Sequence, residues 1–140
     1  MATPLLSATQ VWKKIRYQGG TIDASVNPFD WNTTITASGD HIELVFAGRK
    51  TVKIAAGDIT ALSYGQKAYR HVADMAALSV IATPIALFGI LHKSTDHLVG
   101  IEFTTPAGHS AVLLMVDKYS YRDLLTTLKA MTGKPVDNWP

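Results

Sequence analysis

Alternating apolar and polar positions run through residues 33 to 64 and predict short β-strands. Ile42, Leu44 and Phe46 alternate with polar neighbours, which is the two-residue period of a strand with one buried face. Ser38-Gly39-Asp40 interrupts the alternation with residues that are typical of a hairpin turn. We therefore predict four antiparallel strands that pair in sequential order within this region.

Two more apolar runs lie near the C-terminal end and predict a further hairpin. Leu98 to Thr104 and Ser110 to Val116 are β-branched or apolar along most of their length, and Pro106-Ala107-Gly108 separates them. Strands that are apolar on both faces are typical of central positions in a sheet. We expect these two strands to lie inside the sheet.

The last element is predicted to be an amphipathic helix. Ser120, with Asp123 three residues later, can cap its start, and Gly133 followed by Pro135 stops it. The apolar residues recur at spacings of three and four on one face of this helix: Tyr121, Leu124, Leu125, Leu128 and Met131.

The N-terminal segment predicts a strand, a bend at Gly19-Gly20 and a second short strand. Lys13, Lys14 and Arg16 give this segment a basic side beside aromatic residues, a combination that can stack on nucleic-acid bases. A half-buried edge strand with one solvated face explains the same pattern, and we favour it. Farther along, we expect the rings of Phe29 and Trp31 to plug one end of the sheet.

Residues 75 to 91 contain no charged side chain and interrupt this β-rich pattern. A helix that is apolar on all sides must be buried on all sides. Seventeen helical residues rise about 25 Å, less than the roughly 30 Å of a bilayer core, and Pro84 kinks any helix that forms. We therefore predict a helical hairpin around residues 68 to 92, within a single domain that covers residues 1 to 140 with an apolar insertion at 72 to 92.

Such a hairpin has three possible environments: a membrane leaflet, an oligomer core, or the sheet of the same chain. The residues predicted to contact lipid or a second copy of the chain are Leu78, Ile81, Pro84, Ile85, Leu87, Phe88, Ile90 and Leu91. The residues predicted to meet anionic head groups at the foot of the hairpin are Lys67, Arg70, His71, His92 and Lys93.

Composition narrows the function classes. A net charge of +2 gives no strong electrostatic footprint for nucleic acid, and the absence of cysteine excludes disulfides and cysteine-zinc sites. The first ten residues lack the basic region and apolar core of a secretory signal. We expect no nucleic-acid partner, and membrane association on a side that the sequence does not specify.

Candidate chemistry along the chain is weak. His71, His92, Asp96 and His97 are rich in metal-ligating groups, but their spacing specifies no coordination geometry, and we predict no metal and no cofactor. A set of Ser110, His109 and Asp117 lacks the surroundings of an activated serine. We therefore predict that the protein is not an enzyme.

The order of these elements resembles the pleckstrin-homology-like superfold over about residues 10 to 132. That resemblance implies an α+β fold in which a strongly bent antiparallel sheet of about seven strands is closed by the C-terminal helix. Four phrases are also similar to a family of uncharacterised bacterial proteins, which brings no assigned enzyme activity: VWKKIRYQGG from Val11, LSYGQ from Leu62, HLVGIEF from His97 and TGKPV from Thr132.

Together these features predict a non-enzymatic membrane-associating or scaffolding domain that docks through its apolar hairpin. The alternative is a self-assembling structural protein in which the hairpins of several chains form an oligomer core. The expected partners are accordingly membrane lipid or copies of the same chain.

Overall fold

The structure is a computed structural model, and it describes residues 9–22, 30–47, 50–77 and 97–139. Eight strands form one sheet in the order β4-β3-β2-β1-β7-β6-β5-β8. The strands are β1 (Thr9–Gly20), β2 (Thr33–Ser38), β3 (His41–Phe46), β4 (Lys50–Ala55), β5 (Ile59–Tyr64), β6 (His97–Thr105), β7 (Gly108–Val116) and β8 (Val136–Asp137). The helices are α1 (Gln66–Ala77) and α2 (Tyr121–Thr132), and a 3-10 turn, Ala56–Asp58, precedes β5.

The predicted sequential pairing holds for β2, β3 and β4 and fails at β5. Ser38 pairs with His41 across the predicted hairpin turn, and Phe46 pairs with Lys50 at the next one. β5, however, pairs with β6 and with the short parallel strand β8. The 3-10 turn before β5 therefore marks the crossing from the β4 edge to the far side of the sheet, where β5 lies between β6 and β8.

β1 joins the two halves of the sheet, so its prediction as an edge strand is wrong. Its first half pairs with β2 and its second half with β7. The predicted bend at Gly19-Gly20 is also absent, because both glycines continue β1. A Cβ at Gly20 would lie 2.3 Å from the carbonyl oxygen of Ala111, so a glycine is needed for β1 to approach β7 this closely.

β6 and β7 occupy central positions, as their apolar sequences predicted. β7 lies between β1 and β6, and the turn at Pro106-Ala107 joins the two strands. Leu98, Ile101 and Leu114 are among the fully buried side chains of this pair. Burial on both faces explains why the two strands show little polar alternation.

α2 closes the bent sheet and completes the main core. Leu124, Leu125 and Leu128 are fully buried and pack with inward-facing residues of the strands. Gly133 ends the helix with φ of 70° and donates its backbone N–H to the carbonyl of Lys129, as predicted for a glycine stop. The predicted cap is absent, because the Ser120 side chain makes no capping hydrogen bond.

α1 covers the opposite face of the sheet. Ala68 and Val72 are fully buried and cluster with Leu98, Ala111, Leu113 and Met115. A Cβ at Gly100 would lie 2.6 Å from Ser63 Oγ and 3.2 Å from Ala68 Cβ, which shows how closely the helix packs. The first part of the predicted insertion, residues 72 to 77, therefore belongs to a helix that packs on the sheet.

The described residues that flank residues 78 to 96 lie at opposite ends of α1. The N–H of Gly65 bonds to the carbonyl of Leu98, so α1 starts beside the beginning of β6. Twelve helical residues then place Ala77 about 17 Å along the helix axis from that point. Most of the hairpin predicted around residues 68 to 92 lies outside the described residues, so the hairpin itself stays a prediction.

Candidate functional site

A cleft lies where β1 passes from β2 to β7. Its volume is about 670 Å³, within the usual size range of small-ligand sites. Met115 and Val116 contribute apolar surface, and most of the remaining side chains are basic or aromatic. The lining residues are Lys13, Lys14, Arg16, Trp31, His97, Met115, Val116, Asp117, Lys118 and Tyr119.

A β-bulge in β1 exposes two consecutive lysines at this cleft. The pairing with β2 shifts register between Trp12 and Ile15, and both of these residues are buried. Lys13 and Lys14 lie between them and are both exposed, whereas regular alternation would turn one of them inward. The irregularity therefore doubles the positive charge that this part of β1 presents.

Arg16 and Trp31 form a stacked pair at the side of the cleft. The guanidinium carbon of Arg16 lies 4.0 Å from the centroid of the Trp31 ring, and Nη1 contacts Met115 Sδ at 3.7 Å. Trp31 is 44% exposed, so this ring does not plug the sheet as expected. Phe29, the other ring of that prediction, lies outside the described residues.

The turn between β7 and α2 supplies the opposite side. Asp117 donates its backbone N–H to the carbonyl of Lys14, and its Oδ2 accepts the N–H of Tyr119 at 3.2 Å. Lys118 Nζ lies 5.1 Å from the Tyr119 ring centroid. Tyr119 is 83% exposed, more than any other large hydrophobic side chain in the described part of the chain.

The cleft carries an excess of positive charge. Four cationic side chains, those of Lys13, Lys14, Arg16 and Lys118, line it with a single carboxylate, that of Asp117. None of these five side chains has an ion-pair partner within the described ranges. The positive charge is thus available to an anionic ligand or surface.

An aromatic stack lies beside the cleft. The His97 ring centroid is 3.8 Å from that of Tyr121, and Tyr64 Oη shares a hydrogen bond of 2.6 Å with His97 Nδ1. Arg122 Nε donates to the Tyr121 hydroxyl at 3.0 Å. Burial, reinforced by the neighbouring Tyr121, raises the pKa of Tyr64 to about 12. His97, at the start of β6, connects this stack to the cleft.

Three of the predicted head-group residues lie on the exposed side of α1. Lys67, Arg70 and His71 all face outward, and His71 Nε2 contacts Asp137 Oδ2 at 3.1 Å. The other predicted contact residues lie outside the described residues: Leu78, Ile81, Pro84, Ile85, Leu87, Phe88, Ile90, Leu91, His92 and Lys93. Their roles stay predictions.

The weaker chemical candidates do not come together in the described ranges. His109 lies near the start of β7 and Asp117 follows its end, so about 26 Å of strand separates them. Across residues 9–22, 30–47, 50–77 and 97–139, no group of three or more His, Asp or Glu side chains could hold a metal ion. In the same ranges, no helix has both the length and the apolarity needed to cross a bilayer.

Comparison with known proteins supports the fold and gives no function. No family model matches the chain, and no curated protein matches it. A solved structure of the Spt16D Pob3N heterodimer contains a similar chain, with a TM-score of 0.51 and 9% identity. The match covers 96% of this chain and 60% of that chain. This likeness supports a β-rich fold with a C-terminal helix, which is compatible with the predicted pleckstrin-homology-like superfold. The narrower bacterial family stays a prediction.

The sequence predicts part of the basic surface of the cleft, but it does not show which distant segments come together to form the cleft. The basic residues of β1 are evident in the sequence, but their pattern predicts an edge strand with a solvated face, whereas β1 pairs with β2 and with β7. Lys118 and Tyr119 gave no signal of their own, because they reach the cleft only through the pairing of β7 with β1. A detectable signal was the pair of consecutive lysines between buried Trp12 and Ile15, which breaks the strand period.

Proposed function

We propose that this protein is a non-enzymatic pleckstrin-homology-like domain that binds anionic membrane surfaces through the cleft lined by Lys13, Lys14, Arg16 and Lys118. One observation carries the proposal: four cations without described ion-pair partners lie next to two exposed aromatic rings, those of Trp31 and Tyr119. Basic side chains attract anionic lipid, and Trp and Tyr favour the interface between head groups and hydrocarbon.

The uncharged sequence of residues 75 to 91 is the second anchor in this proposal. Five residues separate Leu91 from His97, which lines the cleft. Stable attachment to a membrane generally needs two signals, such as an apolar insertion and a basic patch. The cleft supplies the basic signal, and the apolar sequence is the candidate for the other.

Each basic residue near an anionic surface contributes about 1 kcal/mol to binding. Removing three of them therefore weakens binding by about 3 kcal/mol, or roughly a hundredfold in affinity. The test variant combines Lys13→Glu, Lys14→Glu and Lys118→Glu, all at exposed positions. The matched control combines Lys53→Glu, Lys129→Glu and Lys134→Glu, which changes net charge equally at positions that do not line the cleft.

The measurement is co-sedimentation with phosphatidylcholine vesicles, with and without phosphatidylglycerol. We expect wild type and control to bind the anionic vesicles, the cleft variant to lose at least a hundredfold in affinity, and salt to weaken wild-type binding. Equal losses in both variants would show that net charge alone drives binding. Light scattering in lipid-free buffer tests the alternative: wild type that ignores vesicles and forms a defined oligomer would replace membrane docking with self-assembly.

A further inference from the structure

The cleft contains a carboxylate that a purely anionic ligand does not need. Asp117 Oδ2 accepts the N–H of Tyr119, whereas Oδ1 is buried and has no hydrogen-bond partner. Buried polar atoms are nearly always paired, so an orphan acceptor in a cleft calls for a donor. Asp117 lies in a cleft with four cationic side chains, so the kind of donor that would pair with its carboxylate indicates which ligand the cleft binds.

Arg16, in the same cleft, has a donor group that lacks an acceptor. Its side chain stacks on Trp31 and makes one weak contact with the Met115 thioether, while its Nε is buried without a partner. Arg16 and Asp117 form no ion pair with each other, although both line the cleft. The cleft thus keeps a guanidinium and a carboxylate apart, each with unused hydrogen-bonding capacity.

A ligand that is complementary to both Arg16 and Asp117 must have an anionic group and a cationic hydrogen-bond donor. A simple phosphate or a polyanion would satisfy the cations and be repelled by Asp117. A phosphate ester with an ammonium group satisfies both, since phosphate binds guanidinium and ammonium groups and the ammonium donates to a carboxylate. Asp117 lines the cleft and is only partly buried, so its carboxylate can meet an ammonium group there while Oδ2 keeps the Tyr119 N–H.

We infer that the cleft recognises the head group of an aminophospholipid, with its phosphate at Arg16, Lys14 and Lys118 and its ammonium at Asp117. This inference rests on the proposed membrane function and adds the class of lipid. The exposed rings of Trp31 and Tyr119 provide apolar surface for the part of the lipid next to the phosphate. The volume of about 670 Å³ is sufficient for one such head group.

The deciding experiment compares two lipids of equal net charge. Phosphatidylserine carries an ammonium group and phosphatidylglycerol carries none, so non-specific electrostatics binds both equally. We expect wild type to bind vesicles with phosphatidylserine about tenfold more tightly than vesicles with phosphatidylglycerol, as one charge-assisted hydrogen bond implies. Equal affinity for the two vesicles would overturn the inference and leave the proposed function standing, whereas failure to bind either would overturn both.

Asp117→Asn identifies the carboxylate as the source of the preference. Asparagine retains an oxygen for the Tyr119 N–H and removes the charge. We expect the variant to bind the two vesicles equally, with its affinity for phosphatidylglycerol raised because a negative charge has left the cleft. The matched control is Asp58→Asn, an exposed position outside the cleft, which should keep the tenfold preference. A preference that persists in Asp117→Asn would contradict the assignment.

Soluble compounds distinguish recognition of the head group from recognition of a lipid surface. O-phosphoethanolamine should compete with phosphatidylserine vesicles at lower concentration than glycerol 3-phosphate, which lacks the ammonium. Equal competition by the two compounds would contradict a role for Asp117 as an ammonium acceptor. Thermal unfolding of each variant checks that the fold is intact, and the wild-type comparison of lipids needs no variant at all.

Discussion

The indole N–H of Trp12 donates a hydrogen bond to Asp123 Oδ2, 3.1 Å away, and so links β1 to the first turn of α2. The two residues are 111 positions apart in the chain. The sequence predicts that the Asp123 carboxylate caps α2 together with Ser120, but in the structure this carboxylate bonds to Trp12. Trp12 is only 5% exposed, so its donor needs a partner inside the protein.

Removing the partner of the Trp12 donor should destabilise the protein. Asp123 is exposed, so we expect Asp123→Ala to lower the free energy of unfolding by about 1.5 kcal/mol, the low end for a hydrogen bond to a charged group. Urea unfolding of Asp123→Ala, Trp12→Phe and the double variant measures the coupling directly. Additive effects of the two substitutions would show that the hydrogen bond contributes nothing.

Elements with strong local signals could be predicted from the sequence. The hairpin at Ser38-Gly39-Asp40, the central pair β6 and β7, and the buried face of α2 all follow from turn residues and hydrophobic period. Each signal depends on residues that are close together in the chain. Local chemistry specified these elements because no distant contact opposes it.

The neighbours of a strand were harder to predict, because pairing depends on residues far apart in the chain. β5 is the next strand after β4 in the chain and yet lies at the far side of the sheet, between β6 and the edge strand β8. β8 is two residues long and gives no periodic signal. The continuous path of β1 through Gly19-Gly20 depends on the close approach of Ala111, which the local sequence does not reveal.

The candidate site contains residues of both kinds: some are recognisable from the local sequence, and others reach the site only through contacts between distant segments. The basic residues of β1 were recognised as a group, but their partners Trp31 and Lys118 come from two other regions that only the fold brings together. The three-residue spacing predicts that Asp123 caps the helix together with Ser120. In the structure its carboxylate instead accepts a hydrogen bond from the distant Trp12. Long-range contacts therefore decided the site more than local propensity did.

The buried face of α2 predicts a clear contrast between two substitutions. Leu128 is fully buried in the main core, so Leu128→Ala removes packed methylenes and should cost about 2–5 kcal/mol. Thr126→Ala on the exposed side of the same helix should stay within about 0.5 kcal/mol of wild type. Similar losses for both variants in urea unfolding would contradict the assigned face.

The position of Val72 predicts where the apolar sequence can be removed. Val72 is a fully buried residue of α1 that packs on the sheet, and burying such a side chain contributes about 1.5–3 kcal/mol. Replacing residues 78 to 91 with a Gly/Ser linker should therefore preserve cooperative unfolding, whereas a replacement that starts at residue 72 should lower stability markedly. Circular dichroism melts of the two proteins provide the comparison.

The contrary outcome is equally informative about the apolar sequence. Loss of cooperative unfolding on replacement of residues 78 to 91 would make that segment part of the monomer core. Val72→Ala in the full chain separates the effects, because it tests the packing of α1 and leaves the chain length unchanged. We expect this substitution to cost about 2 kcal/mol.

Tyr64 predicts a loss of stability at alkaline pH. Its pKa rises from 10.0 to about 12 in the folded protein, chiefly through burial and next through Tyr121, so the folded state favours the neutral phenol. The resulting stabilisation is complete below pH 10.0 and is lost as pH rises from there through about 12. Urea unfolding across that window should therefore show a falling free energy of unfolding.

The phenylalanine variant separates this ionisation from the hydrogen bond of the same hydroxyl. Tyr64→Phe removes the contact with His97 at every pH, which lowers stability by a constant amount, about 1 kcal/mol. It also removes the group that ionises, so the decline between pH 10.0 and about 12 should become shallower. Tyr119→Phe is the matched control, because that ring is 83% exposed and its hydroxyl has no hydrogen bond to lose among the described residues. An unchanged slope in Tyr64→Phe would contradict the raised pKa, even if the constant loss from the missing hydrogen bond were observed.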